Sequence, residues 1–127
     1  MTYRQLESSA YILAATSVAL AALGAHLLKD HWHDEAAPNQ FATATRILFW
    51  HSIGIWICSR PSLELSNQGL SMLVSSLVFC GSVYLLSFGA PSWLGMIAPL
   101  GGLGLIGTWA WMAWSRTFAT KHSPEKS

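Results

Sequence analysis

The chain has 127 residues, 52% of them hydrophobic and 10% charged, with seven tryptophans and a formal net charge of +1; its mean hydropathy is +0.38. Soluble domains carry about 25% charged residues, so the composition points to a membrane. It excludes a disordered chain, a basic nucleic-acid binder and, with two cysteines, a disulfide-rich secreted scaffold.

The first long apolar segment, residues 9–28, has no acidic or basic side chain except His26. Roughly 20 apolar residues cross a ~30 Å hydrocarbon core, so this segment is expected to span. Ala22-Leu23-Gly24 has the small-x-small form of a signal-peptidase site. Glu7 in the leader and the length of the uncharged run favour a retained helix.

The loop Lys29-Asp30-His31-Trp32-His33-Asp34-Glu35 follows. It offers residue types that bind transition metals but lacks two well-spaced ligand pairs, and it reads as a solvated loop with no metal.

The second span is placed at 41–59. Ile47–Ser59 alone would be too short at ~1.5 Å per residue, so the helix is started near Phe41. Arg46 then lies about 7–8 Å inside the helix, close enough to snorkel to the outer interface. His51 lies nearer the midplane and is expected to bond Ser17, Ser82 or Tyr84. Ionisable groups at such depth are functional candidates by default, and Arg46, His51, His26 and Tyr84 form the candidate intramembrane polar site. No catalytic residue is nominated.

From Leu65 to Ser115 no Asp, Glu, Lys, Arg or His occurs. The turn formers Gly89-Ala90-Pro91-Ser92 divide this stretch into spans at 69–88 and 93–115. Pro99, followed by Gly101 and Gly102, is expected to kink or loosen the fourth span. Residues 117–127 form a polar tail of the single domain.

These spans describe an all-α integral membrane four-helix bundle. Arg4, Arg60, Arg116, Lys121 and Lys126 fall on one side, and only Lys29 on the other. The positive-inside rule then puts both termini in the cytoplasm, or in the matrix of an organelle. Trp93, Trp111 and Trp114 suit the interfacial aromatic belts.

Helices in lipid associate through close backbone approach and hydrogen bonds. Small residues supply three faces for this: Ser17, Ala21 and Ala25 in the first span, Ser76 and Cys80 in the third, and Gly101, Gly102, Gly104 and Gly107 in the fourth. Cys58 and Cys80 read as packed, inert thiols. Both hairpins start on the same side, so the inverted repeat of many transporters is not present within the chain.

The motifs Gly24-Ala25-His26-x-Leu28, Thr43-Ala44-Thr45-Arg46 with His51, Phe79-Cys80-Gly81-Ser82-Val83-Tyr84, and Ala98-Pro99-Leu100-Gly101-Gly102 with Gly107-Thr108-Trp109 occur in this order. Together they resemble the small bacterial membrane proteins grouped as domain of unknown function 423, whose mitochondrial relatives are called transmembrane protein 256. The resemblance runs from about Ser9 to Ser115. It departs at Ile47, where the family usually has Tyr, and at Ala98, where it usually has Thr. It implies a four-span inner-membrane protein and no established activity.

The reading is a non-enzymatic structural or accessory subunit without a cofactor. Its partners would be the lipid bilayer and other membrane proteins or itself, and not nucleic acid. Two alternatives are a small oligomeric channel or transporter with a polar path near Arg46 and His51, and a haem- or quinone-binding anchor. Haem between His26 and His51 fails on depth, since the two differ by about 10 Å along the membrane normal. Haem between two copies of His51 would need a dimer.

Overall fold

The computed structural model describes residues 1–119. Four α-helices make up most of that length: α1 (Tyr3–His26), α2 (Ala37–Cys58), α3 (Ser66–Ser87) and α4 (Ala98–Ala119). Short 3-10 turns at Pro61–Leu63 and Ser92–Met96 complete it. By length and composition α1, α3 and the segment Ser92–Phe118 are apolar enough to cross a membrane. At 22 residues α2 is as long as α3, but Pro38, Asn39, Gln40, Arg46 and His51 dilute its apolarity.

Local chemistry sets the helix ends. Thr2 opens α1 with a capping box, accepting from the Gln5 amide while the Gln5 side chain accepts from the Thr2 amide. At the start of α2, Asp34 Oδ1 accepts from the amides of Ala36 and Ala37 at 2.9 and 2.8 Å, and Pro38 occupies the first turn, where its missing N–H is no loss. These two devices start α2 at Ala37, four residues before the expected Phe41. Arg46 therefore lies nine residues into the helix, about 13–14 Å along its axis, rather than 7–8 Å. Gly89, at φ +85°, ends α3 in the left-handed conformation that glycine adopts at least cost.

The fourth helix also differs from expectation. It starts at Ala98, so Pro99 falls in its first turn rather than inside the span. A proline there is tolerated and leaves the helix unbroken, so the expected kink is replaced by the 3-10 turn at Ser92–Met96. The polar tail expected over 117–127 starts as helix, with Thr117 and Phe118 continuing α4 to Ala119. From residue 120 on it lies outside the described residues.

Consecutive helices pack antiparallel: α1 on α2, α2 on α3, and α3 on α4. A smaller contact brings α1 to α3, where Leu6 meets Gly69. Among the described residues no comparable packing joins α1 to α4. The core runs along the inner faces, with Leu6, Leu13, Leu48, Ile55, Met72, Leu105 and Met112 in one cluster. Cys58 and Cys80 are free and buried in it, as the sequence reading expected.

Small residues set how closely the axes approach. A Cβ at Gly101 would lie 2.5 Å from the backbone nitrogen of Phe79 and 2.8 Å from its Cα. Gly101 thus lets the α4 backbone touch that of α3. At Gly54 a Cβ would lie 2.5 Å from Met72 Sδ and 3.1 Å from the Trp109 ring. That glycine clears the point where α2, α3 and α4 meet. Gly107, by contrast, faces open space, and the small-residue faces of α1 and α4 are buried only in part.

Candidate functional site

Four helices distribute the polar groups at depth over separate interfaces. His51 is buried in α2, at 8% exposure. Its Nδ1 lies 2.7 Å from the Ile47 carbonyl, one turn back on the same helix. Its Nε2 lies 3.1 Å from the indole Nε1 of Trp109 on α4. A carbonyl only accepts and an indole N–H only donates, so both bonds fix one tautomer, with the hydrogen on Nδ1 and the lone pair on Nε2. The expected partners Ser17, Ser82 and Tyr84 are not used; each hydroxyl turns to its own helix or to another neighbour. A haem iron would require the same Nε2 lone pair that Trp109 holds.

Tyr84, half-buried on α3, reaches α2 instead. Its hydroxyl is 2.8 Å from Thr45 Oγ1, which donates to the Phe41 carbonyl at 2.8 Å. Because Thr45 Oγ1 has one hydrogen, and gives it to Phe41, the Tyr84 hydroxyl donates to Thr45. On the next interface, the hydroxyls of Ser71 and Thr108 are 2.7 Å apart, and Gln68 Nε2 donates to Ser115 Oγ at 3.0 Å. Each helix contact beyond α1 thus has at least one polar tie.

Both ends of the α1–α2 hairpin are pinned. At the end holding Tyr3 and Cys58, Arg60 pairs with Glu7 at 2.5 Å and lies 4.7 Å over the Trp56 ring. Tyr11 donates to Glu7 at 3.0 Å and accepts from Trp56 Nε1 at 3.3 Å. This cluster was not singled out from sequence. Its signal was the (i, i+4) pair Glu7 and Tyr11 on one face of α1, with Trp56 and Arg60 close together at the end of α2.

At the other end Trp32, Phe41, Tyr84 and Phe88 form an aromatic group, with ring centroids 5.0 to 6.3 Å apart. His33 of the connecting loop bridges the Ser87 carbonyl at 3.0 Å and Asp34 at 2.8 Å. The loop therefore packs on the end of α3. Among the described residues no group of three or more His, Cys, Asp and Glu is gathered at one place.

Arg46 stands apart from these ties. It is exposed on α2, and its Nε donates to the Ala42 carbonyl at 3.4 Å, which draws the side chain back toward the start of the helix. Neither ion pair among the described residues includes it. It borders two adjoining clefts between α1 and α2. One, of about 330 Å³, is lined by Ala21, Gly24, Ala25, Trp32, Phe41 and Thr45 among others. The second, of about 290 Å³, is lined by Ser17, Val18, Ala21, Phe49 and Trp50 with Thr45 and Arg46. His26 ends α1 and is exposed.

The four residues nominated from sequence are thus not one cluster. His51 faces α4, Tyr84 bonds Thr45, Arg46 opens onto the α1–α2 groove and His26 sits at a helix end.

Among known proteins, the profile described as protein of unknown function (DUF423) matches residues 20–102, from late α1 through the first turn of α4. The chain belongs to the DUF423 family. The UPF0382 membrane protein YwdK of Bacillus subtilis (strain 168) is 32% identical over 104 residues, covering 77% of this chain and 84% of its own. No solved structure matches. The DUF423 match contains His51, Tyr84 and Arg46 but stops short of Trp109. Where this chain has Ile47 in place of the family's usual Tyr, the bond to His51 uses the backbone carbonyl and survives the change of side chain.

Proposed function

We propose that this DUF423 membrane protein is a non-enzymatic structural or accessory subunit of the bacterial inner membrane, crossing it four times with both termini in the cytoplasm. The observation that carries the reading is the use of polar groups at depth as ties between helices. His51 joins α2 to α4, Tyr84 joins α3 to α2, and Thr108 joins α4 to α3. Such groups hold a scaffold, and what the scaffold offers its surroundings is surface. Leu100, Leu103, Ile106 and Trp114 of α4 are each at least 65% exposed, a face suited to lipid or to a helix of another membrane protein.

The orientation is supported by the charge bias and by the four antiparallel helices, an even number. Reporter fusions at Lys29 and at Ser127 test it and are expected on opposite sides of the membrane. The accessory role is tested by co-purification in a gentle detergent and by crosslinking in native membranes. A specific membrane partner or a defined homo-oligomer is expected. Protein that stays monomeric and captures nothing in native membranes would end the reading.

Transport is the second reading, favoured by the unpaired Arg46 guanidinium at membrane depth. Flux of protons or anions into proteoliposomes that is unchanged in His51→Ala and Arg46→Ala would remove it.

A further inference from the structure

The clefts beside Arg46 are parts of one groove. They share Ala21, Thr45 and Arg46, and a third cleft of about 210 Å³ continues from Phe49 past Tyr11 and Ser52 to Trp56. The groove therefore follows the α1–α2 seam from Trp32 at one end of the hairpin to Trp56 near the other. Its walls are almost entirely apolar, and Arg46 is its one charged lining residue.

We propose that this groove holds an acyl chain of a phospholipid with a net negative headgroup, whose phosphate meets the Arg46 guanidinium. Charge complementarity selects the occupant. An arginine at this depth needs a counter-charge or water, and the described residues offer it no carboxylate. The bond from Nε to Ala42 directs the guanidinium toward the wide end of the groove, beside Trp32 and Pro38. A lipid phosphate would arrive from that end, and arginine presents it with a planar, two-pronged donor set.

The groove continues inward from Arg46 past Phe49 to Trp56, ten residues of helix or about 15 Å, so a tail entering beside Arg46 has room along the seam. Small side chains on α1, from Ala14 through Ala21 to Ala25, leave the room; leucines there would close the seam. A tail in the groove gains little over a tail in bulk lipid, because both surroundings are apolar. Selectivity must then come from the headgroup. The site rests on α1 and α2 alone and does not depend on what covers α4.

The test is native mass spectrometry of the full-length protein in detergent, titrated with phosphatidylglycerol or with phosphatidylcholine of the same chains. One phosphatidylglycerol should be retained with a preference of about tenfold, because in phosphatidylcholine the choline cation offsets the phosphate charge that Arg46 meets. Arg46→Gln should bring the preference near parity, and Arg46→Lys should keep most of it. Arg46 is exposed and hydrogen-bonds to its own helix, so these variants are expected to fold; unreactive native Cys58 and Cys80 would report that. Ala21→Leu should lower retention of both lipids by narrowing the groove. Equal retention of the two lipids by the unaltered protein, or a preference that persists in Arg46→Gln, would overturn the proposal. So would an efficient disulfide dimer of Val18→Cys in native membranes, which would give the groove to a second copy of the chain.

Discussion

His51 and Trp109 are a donor–acceptor pair that links α2 to α4, and His51 also holds the Ile47 carbonyl of its own helix. Trp109→Phe keeps an aromatic ring but removes the donor that faces Nε2. An unpaired buried acceptor costs about 1–3 kcal/mol, and measured interhelical bonds in membranes fall toward the lower end of that range. We expect Trp109→Phe to destabilise the protein by about 1 kcal/mol, read as a shift in an unfolding titration in mixed micelles. His51→Ala loses both bonds and leaves a cavity, and should cost more. The double variant should cost less than the sum of the two. Strict additivity would mean that the bond contributes nothing.

The sequence marked His51 and Tyr84 as residues of interest but not their partners. A helical register tells which face a residue occupies, whereas a bond between helices depends on rotation and axial offset, which packing sets. Ile47 illustrates this: read from its side chain it is a departure from the family pattern, yet it serves His51 through its backbone. Trp109 was read only as part of a motif, because an indole on an apolar helix looks the same whether it faces lipid or a ring nitrogen.

For the helices, α3 and α4 approach most closely at Gly101. Alanine there would press its Cβ into the backbone of Phe79, which cannot rotate away, so the two helices must separate. We expect Gly101→Ala to destabilise by about 1–3 kcal/mol, the cost typical of overpacking. Gly107→Ala lies on the same helix and meets nothing. There the higher helix propensity of alanine should leave stability unchanged or slightly raised, by up to about 1 kcal/mol. Thermal unfolding of both variants in one detergent separates the two cases. Equal behaviour would mean that the close approach is not what holds α3 to α4.

Helix number and order were legible because uncharged runs and turn formers are punctuated cleanly. Boundaries were less so. The start of α2 was misplaced by four residues because Asp34 caps it from within a loop read as solvated, and the Pro99 kink because a proline's effect depends on how far along its helix it lies. The structure spreads Arg46, His51, His26 and Tyr84 over separate interfaces for a related reason. They were grouped as the polar side chains within apolar spans, but polarity says nothing of which way round a helix each residue faces.

For the whole molecule, burial of Cys58 and Cys80 gives a direct measure of integrity. Both sulfurs lie within the core, Cys80 beside the Ala44 carbonyl at 3.3 Å and Cys58 beside Met112 Sδ at 3.7 Å. Small maleimides should leave them unmodified in the folded protein and label both after denaturation in sodium dodecyl sulfate. The rate of labelling as the denaturant fraction rises then reports opening of the core. Fast modification of either thiol under native conditions would show that the bundle opens readily or that the inner faces are not packed as described.

The order of packing bears on how the protein is made. Each helix leans mainly on the one synthesised just before it, and the first and last never need to find each other. The hairpin of α1 and α2 is held at one end by Glu7, Tyr11, Trp56 and Arg60 alone, whereas its other end is completed by Tyr84, Ser87 and Phe88 when α3 follows. Few contacts reach back past the nearest neighbour: Leu6 meets Gly69, and when the final helix arrives Met112 meets Cys58 and the indole of Trp109 meets His51. Biogenesis becomes a zipper closed in reading order, with a histidine waiting at midpoint for the last tooth.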